Sequence, residues 1–298
     1  MRFTRFCSVA VAMWLVGVVA PPAASASTTR TVRYGPFTIP AGTATNPTST
    51  SDLKFGVSRP CSDCYITSFR PDLVYADGSR ATMDTGPMLH HALFASQFRE
   101  DATCSGEWLG LAGERFFASG DERTAIAFPH GYGYRVRWYD YWNLLVEVMN
   151  HAMSEKTVYV QVTYTYRAAW EGVKSVKPVW LDIDQCGNSE YSIPAGFSDT
   201  HWDWNVNVPG DVVAMFGHVH GHGVAVEVTN ESRGGTSLCK SVATIDPRDA
   251  HRVLAMSTCT GDPLARLRAG DVVRLHSIYN SSHATDGVMG LMIGYIHQ

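Results

Sequence analysis

The 298-residue chain has no long apolar run, no surplus of one charge and no sustained helical pattern, and each absence narrows what it can be. A membrane-spanning helix needs about 20 consecutive apolar residues. The longest apolar core, Val9 to Ala20, falls well short of that and sits at the N-terminus. With 24 basic and 28 acidic residues, the chain offers no electrostatic case for nucleic acid or an anionic membrane. No segment keeps an apolar stripe at helical spacing over three turns; only Asp121 to Phe128 has room for a turn. There is no Gly-x-Ser-x-Gly, so nothing supports a hydrolase triad.

What is present at the start is Arg2 and Arg5, the apolar core, Pro21-Pro22 and the small-residue run Ala24-Ser25-Ala26. That order predicts a secretory signal peptide over 1–26, with cleavage after Ala26 and an exported product. Removing it also removes Cys7. Six cysteines remain, Cys61, Cys64, Cys104, Cys186, Cys239 and Cys259, an even number suited to an oxidising compartment. Cys239 and Cys259 fall within one hairpin-like region and are expected to pair; the other four cannot be paired from sequence. Cys61-x-x-Cys64 also fits a redox motif or half a zinc site, but no helix pattern follows it and no second Cys-x-x-Cys exists.

The rest of the chain reads as short β-branched and aromatic runs punctuated by Gly, Pro, Asn and Asp. Leu144 to Val148, Val158 to Tyr166, Val179 to Ile183, Val224 to Val228, Val272 to Tyr279 and Val288 to Ile296 are examples. The fold class is therefore all-β, most simply a sandwich. An internal echo, Phe37-Thr38-Ile39-Pro40-Ala41-Gly42 and Tyr191-Ser192-Ile193-Pro194-Ala195-Gly196, predicts two tandem antiparallel β-sandwich domains, 27–176 and 177–298, joined around Lys174 to Pro178.

Chemistry concentrates in Gly217-His218-Val219-His220-Gly221-His222-Gly223, which follows the apolar run Val212 to Phe216. Alternate residues of a strand share a face, so His218 and His220 point the same way and form a natural metal chelate. The flanking glycines are expected to leave room for a ligand and to bend the backbone. His90 and His91 form a second pair in the first half. Neighbours in a regular strand face oppositely, so both can bind one metal only where the backbone is irregular, which Gly86-Pro87 just upstream would allow.

The order His-His, a histidine near a strand end, His-x-His and a methionine in a last apolar strand resembles the copper type II ascorbate-dependent monooxygenases, which include the peptidylglycine and dopamine hydroxylases. The local phrases Met149-Asn150-His151, Gly217-His218-Val219-His220 and Val288-Met289-Gly290-Leu291-Met292 are most similar to the stress-up-regulated nodulin-like branch. The resemblance implies two jelly-roll-like sandwiches with a copper on each. His218, His220 and Met289 would hold the oxygen-binding copper and carry catalysis. His90, His91 and His151 would hold an electron-supplying copper. It further implies hydroxylation of a substrate C–H bond with dioxygen and an external reductant, ascorbate in the relatives, on a small-molecule or peptide substrate.

Each residue also has a plain structural reading. Met289 suits a strand core, and His151 suits a surface turn beside Asn150. Met292 lies an odd three residues from Met289 and so on the opposite face. His222 stands where the nodulin-like pattern usually lacks histidine, and His130, His276 and His283 read as surface or strand-end residues. The aromatic run Trp138 to Trp142 suits either a substrate groove or a packed sandwich edge. Two other functions fit the same residues: a non-catalytic extracellular copper- or zinc-binding protein, and a metal-free adhesion or carbohydrate-binding sandwich.

Overall fold

The computed structural model describes residues 27–104, 107–108 and 111–298; the signal-peptide reading of 1–26 lies outside the described residues. Among these, regular structure is strand throughout, apart from the 3-10 turns Met83–Thr85 and Glu231–Arg233, so the all-β expectation is met. No helix is long and apolar enough to cross a membrane.

The alternation that makes these segments strands is plain in Trp142–Asn150. Leu144, Val146 and Val148 are fully buried on one face, while Leu145, Glu147 and Met149 are half-buried on the other. This strand is the second in a four-stranded antiparallel sheet of order Thr48–Lys54, Trp142–Asn150, Pro87–Ser96, Glu114–Ser119. Its buried face packs on Thr28–Ile39, Lys156–Ala168 and Cys64–Val74, which contribute Ile39, Val160, Tyr164 and Phe69 to one core.

Those strands begin a long sheet that continues through Tyr132–Val136, Lys174–Asp182, Gly290–His297, Gly210–Val219 and Thr258–Leu267. The stretch around Lys174 to Pro178, read from the sequence as a joint, is the strand that carries this sheet from one half of the chain to the other. It pairs in parallel with Tyr132–Val136 and antiparallel with Gly290–His297. A second core forms where the later strands meet a five-stranded sheet of order Gly196–Asn205, Val272–Ser281, Gly223–Asn230, Thr236–Asp246, Asp249–Met256.

Gly210–Val219 and Gly290–His297 are thus buried on both faces, which explains why they read as continuous apolar runs instead of alternating ones. Val213, Phe216, Leu291, Ile293 and Tyr295 belong to the first core, and Val212, Met215, Val219, Met292 and Ile296 to the second. Met292 therefore faces away from Met289, as its spacing requires.

The cysteines form three disulfides, Cys61–Cys64, Cys104–Cys186 and the expected Cys239–Cys259. They suit an oxidising, extracytoplasmic environment. Cys61-x-x-Cys64 is a closed bridge and not half of a zinc site.

The glycines around the His-x-His differ from expectation in what they accommodate. A Cβ on Gly217 would collide with Val226 and Ser241 of the five-stranded sheet, one on Gly290 with Ser277, and one on Gly223 with Val219. Their absent side chains let sheets close on each other, so the space is taken by protein and not by a ligand. Gly217→Ala should accordingly cost about 1–3 kcal/mol through overpacking, seen as a lower denaturation midpoint without loss of strand content by circular dichroism.

Candidate metal centre

His218 lies on the same face of its strand as Phe216, paired across the ladder with Leu291. The ladder ends one pair later, at Val219 and Gly290. Beyond it, the buried Tyr279 hydroxyl takes the place of the next rung: it accepts from the His220 N–H at 2.9 Å and donates to the Met289 carbonyl at 2.5 Å. That wedge fixes where the His220 backbone leaves the sheet.

The pair His90-His91 meets the irregularity its chemistry demanded. In Pro87–Ser96, Leu89 pairs with Val148 and His91 with Glu147, so His90 is an extra residue in a β-bulge. Leu89 and Ala92 consequently both face the core, and the two imidazoles between them both reach Glu147 on the opposite face. Their ring centroids are 4.1 Å apart.

The two pairs then meet. His91 Nε2 is 3.1 Å from His220 Nε2, and ligand atoms of His90, His91 and His220 all lie within 4.8 Å of one another. The His90–His220, His91–His218, His91–His220 and His218–His220 centroids are 5.0, 5.4, 5.3 and 5.2 Å apart. Three imidazoles on one tetrahedral ion at about 2.0–2.1 Å would set their centroids about 5 Å apart and their nitrogens about 3.3 Å apart. The packing matches that spacing. The resemblance assigns His91 and His220 to different coppers; in the fold they are in direct contact.

Two of the rings are also oriented from behind: His220 Nδ1 donates to the Gly287 carbonyl at 2.8 Å and His218 Nδ1 lies 3.2 Å from Glu122 Oε1. Glu147 Oε2 lies 3.0 Å from His90 Nδ1 and 3.9 Å from His91 Nδ1, without hydrogen-bond geometry to either. An oxygen on Nδ1 selects the tautomer whose Nε2 carries a lone pair, the arrangement found behind metal-bound histidines. The buried Nε2 of His218 has no protein partner. Burial, aided by the neighbouring imidazoles, pushes His91 down to about 3 and His220 well below its ordinary value of 6.5. Both are therefore neutral donors at physiological pH. The adjacent His90 and His91 imidazoles hold the Glu147 carboxyl well below the usual range. Burial pushes Glu122 up, but His218 and the backbone N–H groups that bond the carboxyl together leave it below its ordinary value.

The remaining candidates fall around this cluster. Met289 is 6% exposed and lines, with His91 and His218, a cavity of about 320 Å³ walled by Leu93, Leu145, Trp180, Phe216, Leu291 and Ile293. His151 lines a second cavity of about 300 Å³ together with His90, His218 and His220; its Nε2 is buried and unpartnered, but it stands, like His218, outside the group of three converging ligands, and unlike His218 it has no ring contact with that group. Trp138, Tyr139 and Tyr141 are exposed and line neither cavity, while Trp142 packs in the core.

Sequence reasoning missed Glu147, Glu122 and Tyr279. The signal for Glu147 was available: it is the one charge within Leu144 to Val148, on the face opposite three fully buried residues. Glu122 is held by a loop at Gly120, where a Cβ would meet Glu122 Oε2 at 2.5 Å and His218 Cε1 at 2.7 Å.

Two outcomes are expected. Glu122→Gln and Glu147→Gln should each weaken metal binding about 10–100-fold by chelator competition. In the metal-stripped protein, the unfolded chain takes protons at His91 and His220 near pH 6.5 that the folded chain refuses, His91 down to about 3. Stability should therefore fall as pH drops from about 7 to 4.5, and a His91→Gln/His220→Gln variant should flatten that slope in thermal melts.

Comparison with known proteins adds the lineage. The chain is 26% identical to the probable copper-dependent oxygenase M1 of Phoma sp., over 90% of its own length and 72% of that protein. It is 24% identical to the probable copper-dependent oxygenase clz3 of Cochliobolus lunatus, over 76% and 77% respectively. Among solved structures, the major capsid protein P2 of bacteriophage PM2 aligns over 91% of this chain and 97% of its own at a TM-score of 0.34 and 11% identity, too low to carry an argument. The profile of the stress up-regulated Nod 19 family matches residues 130–298, more than half of the sequence, and the chain belongs to that family.

Proposed function

We propose that this protein is an extracytoplasmic copper-dependent oxygenase that acts on a small apolar substrate, with the metal held among His90, His91, His218 and His220 beside Met289. The observation that carries the reading is the meeting of His91 and His220 from opposite sheets, beside a largely apolar cavity that His91, His218 and Met289 line together. The names of the fungal relatives point the same way.

The donors fit copper. Imidazoles suit both of its oxidation states, and a thioether favours Cu(I). The buried, unpartnered Nε2 of His218 is a lone pair without a protein use. His90, which touches both His91 and His220, is the remaining imidazole within reach. Copper in this position supplies one-electron chemistry toward dioxygen.

The chain's own residues do the rest. Glu122 and the Gly287 carbonyl keep the His218 and His220 rings turned, so they would hold a metal without reorganising. Leu93, Leu145, Trp180, Phe216, Leu291 and Ile293 exclude water and favour an apolar substrate. The charged residues lining the cavity, Glu122, Glu147 and Glu190, are all acidic and disfavour an anionic one. The cluster also borders the second, more polar cavity through His90, His218 and His220. Substrate on one side and a polar reductant such as ascorbate on the other is the arrangement we infer.

Hydroxylation of a C–H bond would consume one dioxygen, two electrons from the reductant and two protons, and release one water. Copper-loaded protein should therefore take up oxygen with ascorbate when a neutral apolar substrate is supplied, and His218→Ala should lose that uptake. Turnover retained in the variant would overturn the assignment. Tight copper binding without uptake across a panel of neutral apolar compounds would instead favour the non-catalytic metal-binding reading.

A further inference from the structure

A second group of histidines is absorbed by none of this chemistry. His222 lies in the turn after His220, His251 on the strand Asp249–Met256, and His283 between Val272–Ser281 and Thr285–Val288. Their ring centroids are 4.5 Å (His222–His251), 5.5 Å (His222–His283) and 6.4 Å (His251–His283) apart. These values bracket the spacing of about 5 Å expected for three imidazoles on one ion.

The backbone brings them together at a cost. His222 has φ of 67°, a left-handed conformation that a side chain other than glycine adopts rarely. It is held there by its N–H donating to the Ala250 carbonyl at 2.9 Å and by Asn280 N–H donating to its own carbonyl at 3.1 Å. Those two bonds tie the turn to both segments that carry the other histidines. Gly221 is needed for this approach, since a Cβ there would meet the His251 Cα at 2.5 Å. Arg252, next to His251, is pinned to Asp84 at 3.1 Å and lies 3.5 Å from Asp246. The buried Nε2 of His222 has no hydrogen-bond partner. Strain of this kind, maintained by surrounding contacts, is characteristic of binding sites.

We propose that His222, His251 and His283 form a second, solvent-facing metal site for a divalent ion of the copper or zinc class, distinct from the inner centre of His90, His91, His218 and His220. His251 and His283 are exposed, so their rings are free to turn and converge on an ion seated over His222. Three imidazoles leave a fourth tetrahedral position open to water. His222 and His251 also line the cavity shared by His90 and His220, which puts this outer site on the solvent side of the inner cluster.

The test is metal titration of the full, chelator-stripped chain with Zn2+ and with Cu2+. Wild type should bind in two classes of site. A His251→Ala/His283→Ala variant should lose one equivalent and keep the other, and a His91→Ala/His220→Ala variant should do the converse. For Cu2+, two superimposed paramagnetic resonance signals should each reduce to one. His283→Gln, in an exposed segment, should weaken the outer class at least tenfold without altering the fold. Unchanged stoichiometry and affinity in the His251/His283 variant would overturn the proposal, as would loss of both equivalents together from a folded variant. The readout is binding alone, so failure of the oxygenase reading would leave it standing.

Discussion

Two neighbouring histidines on a strand face opposite sides of a sheet, and the candidate metal centre exists because this strand departs from that rule. His90 is an extra residue opposite the ladder between Val148 and Glu147, and the bulge turns both imidazoles onto the face that meets the later strands. The core feels no disturbance, because Leu89 and Ala92 both remain buried on the other side. Without the extra residue one ring would have to enter the core among Phe94 and Val146, and the contact between His91 and His220 could not form.

The second requirement is dielectric. Packing neutral imidazoles against each other away from water costs less where a ring's rear nitrogen meets an oxygen, since an unpaired buried polar group is costly. Gly287 and Glu122 meet that need for His220 and His218, while His90 Nδ1, 3.0 Å from Glu147, lies off the direction of a hydrogen bond. The same oxygens decide which nitrogen faces forward. Ring orientation and stability therefore draw on one set of contacts, and the buried Nε2 of His218 and Nδ1 of His90 are left unpaired.

How much of this was legible in the sequence depends on whether a residue's role is local. The shared face of His218 and His220, the opposed faces of Met289 and Met292 and the pairing of Cys239 with Cys259 follow from spacing of a few residues, and the structure agrees. Strands such as Thr236–Asp246 and Thr258–Leu267 showed only as a hairpin-like region around Cys239 and Cys259, without bounds, because their exposed positions break the apolar pattern. The carboxylates were missed for a different reason. Glu122 and Glu147 acquire meaning only from imidazoles 96 and 57 positions away in one case and the other, and a single acid on a strand face looks solvated until its partner is known. The glycines misled because close approach of another sheet and close approach of a ligand leave the same mark on a sequence.

The centre joins elements from the two halves of the chain, so its geometry is only as fixed as their mutual placement. Several contacts far from the histidines secure that placement. The Tyr295 hydroxyl donates to the Phe116 carbonyl at 2.7 Å, Tyr132 bonds Asp262 at 2.5 Å, Arg252 reaches Asp84, and Cys104 is linked to Cys186. The continuous sheet through Lys174–Asp182 adds a backbone connection that side-chain changes leave in place. A metal-binding site assembled across a mobile joint would spend binding energy on ordering it. Here the scaffold supplies that order in advance, so the rings hold one geometry without help from a ligand.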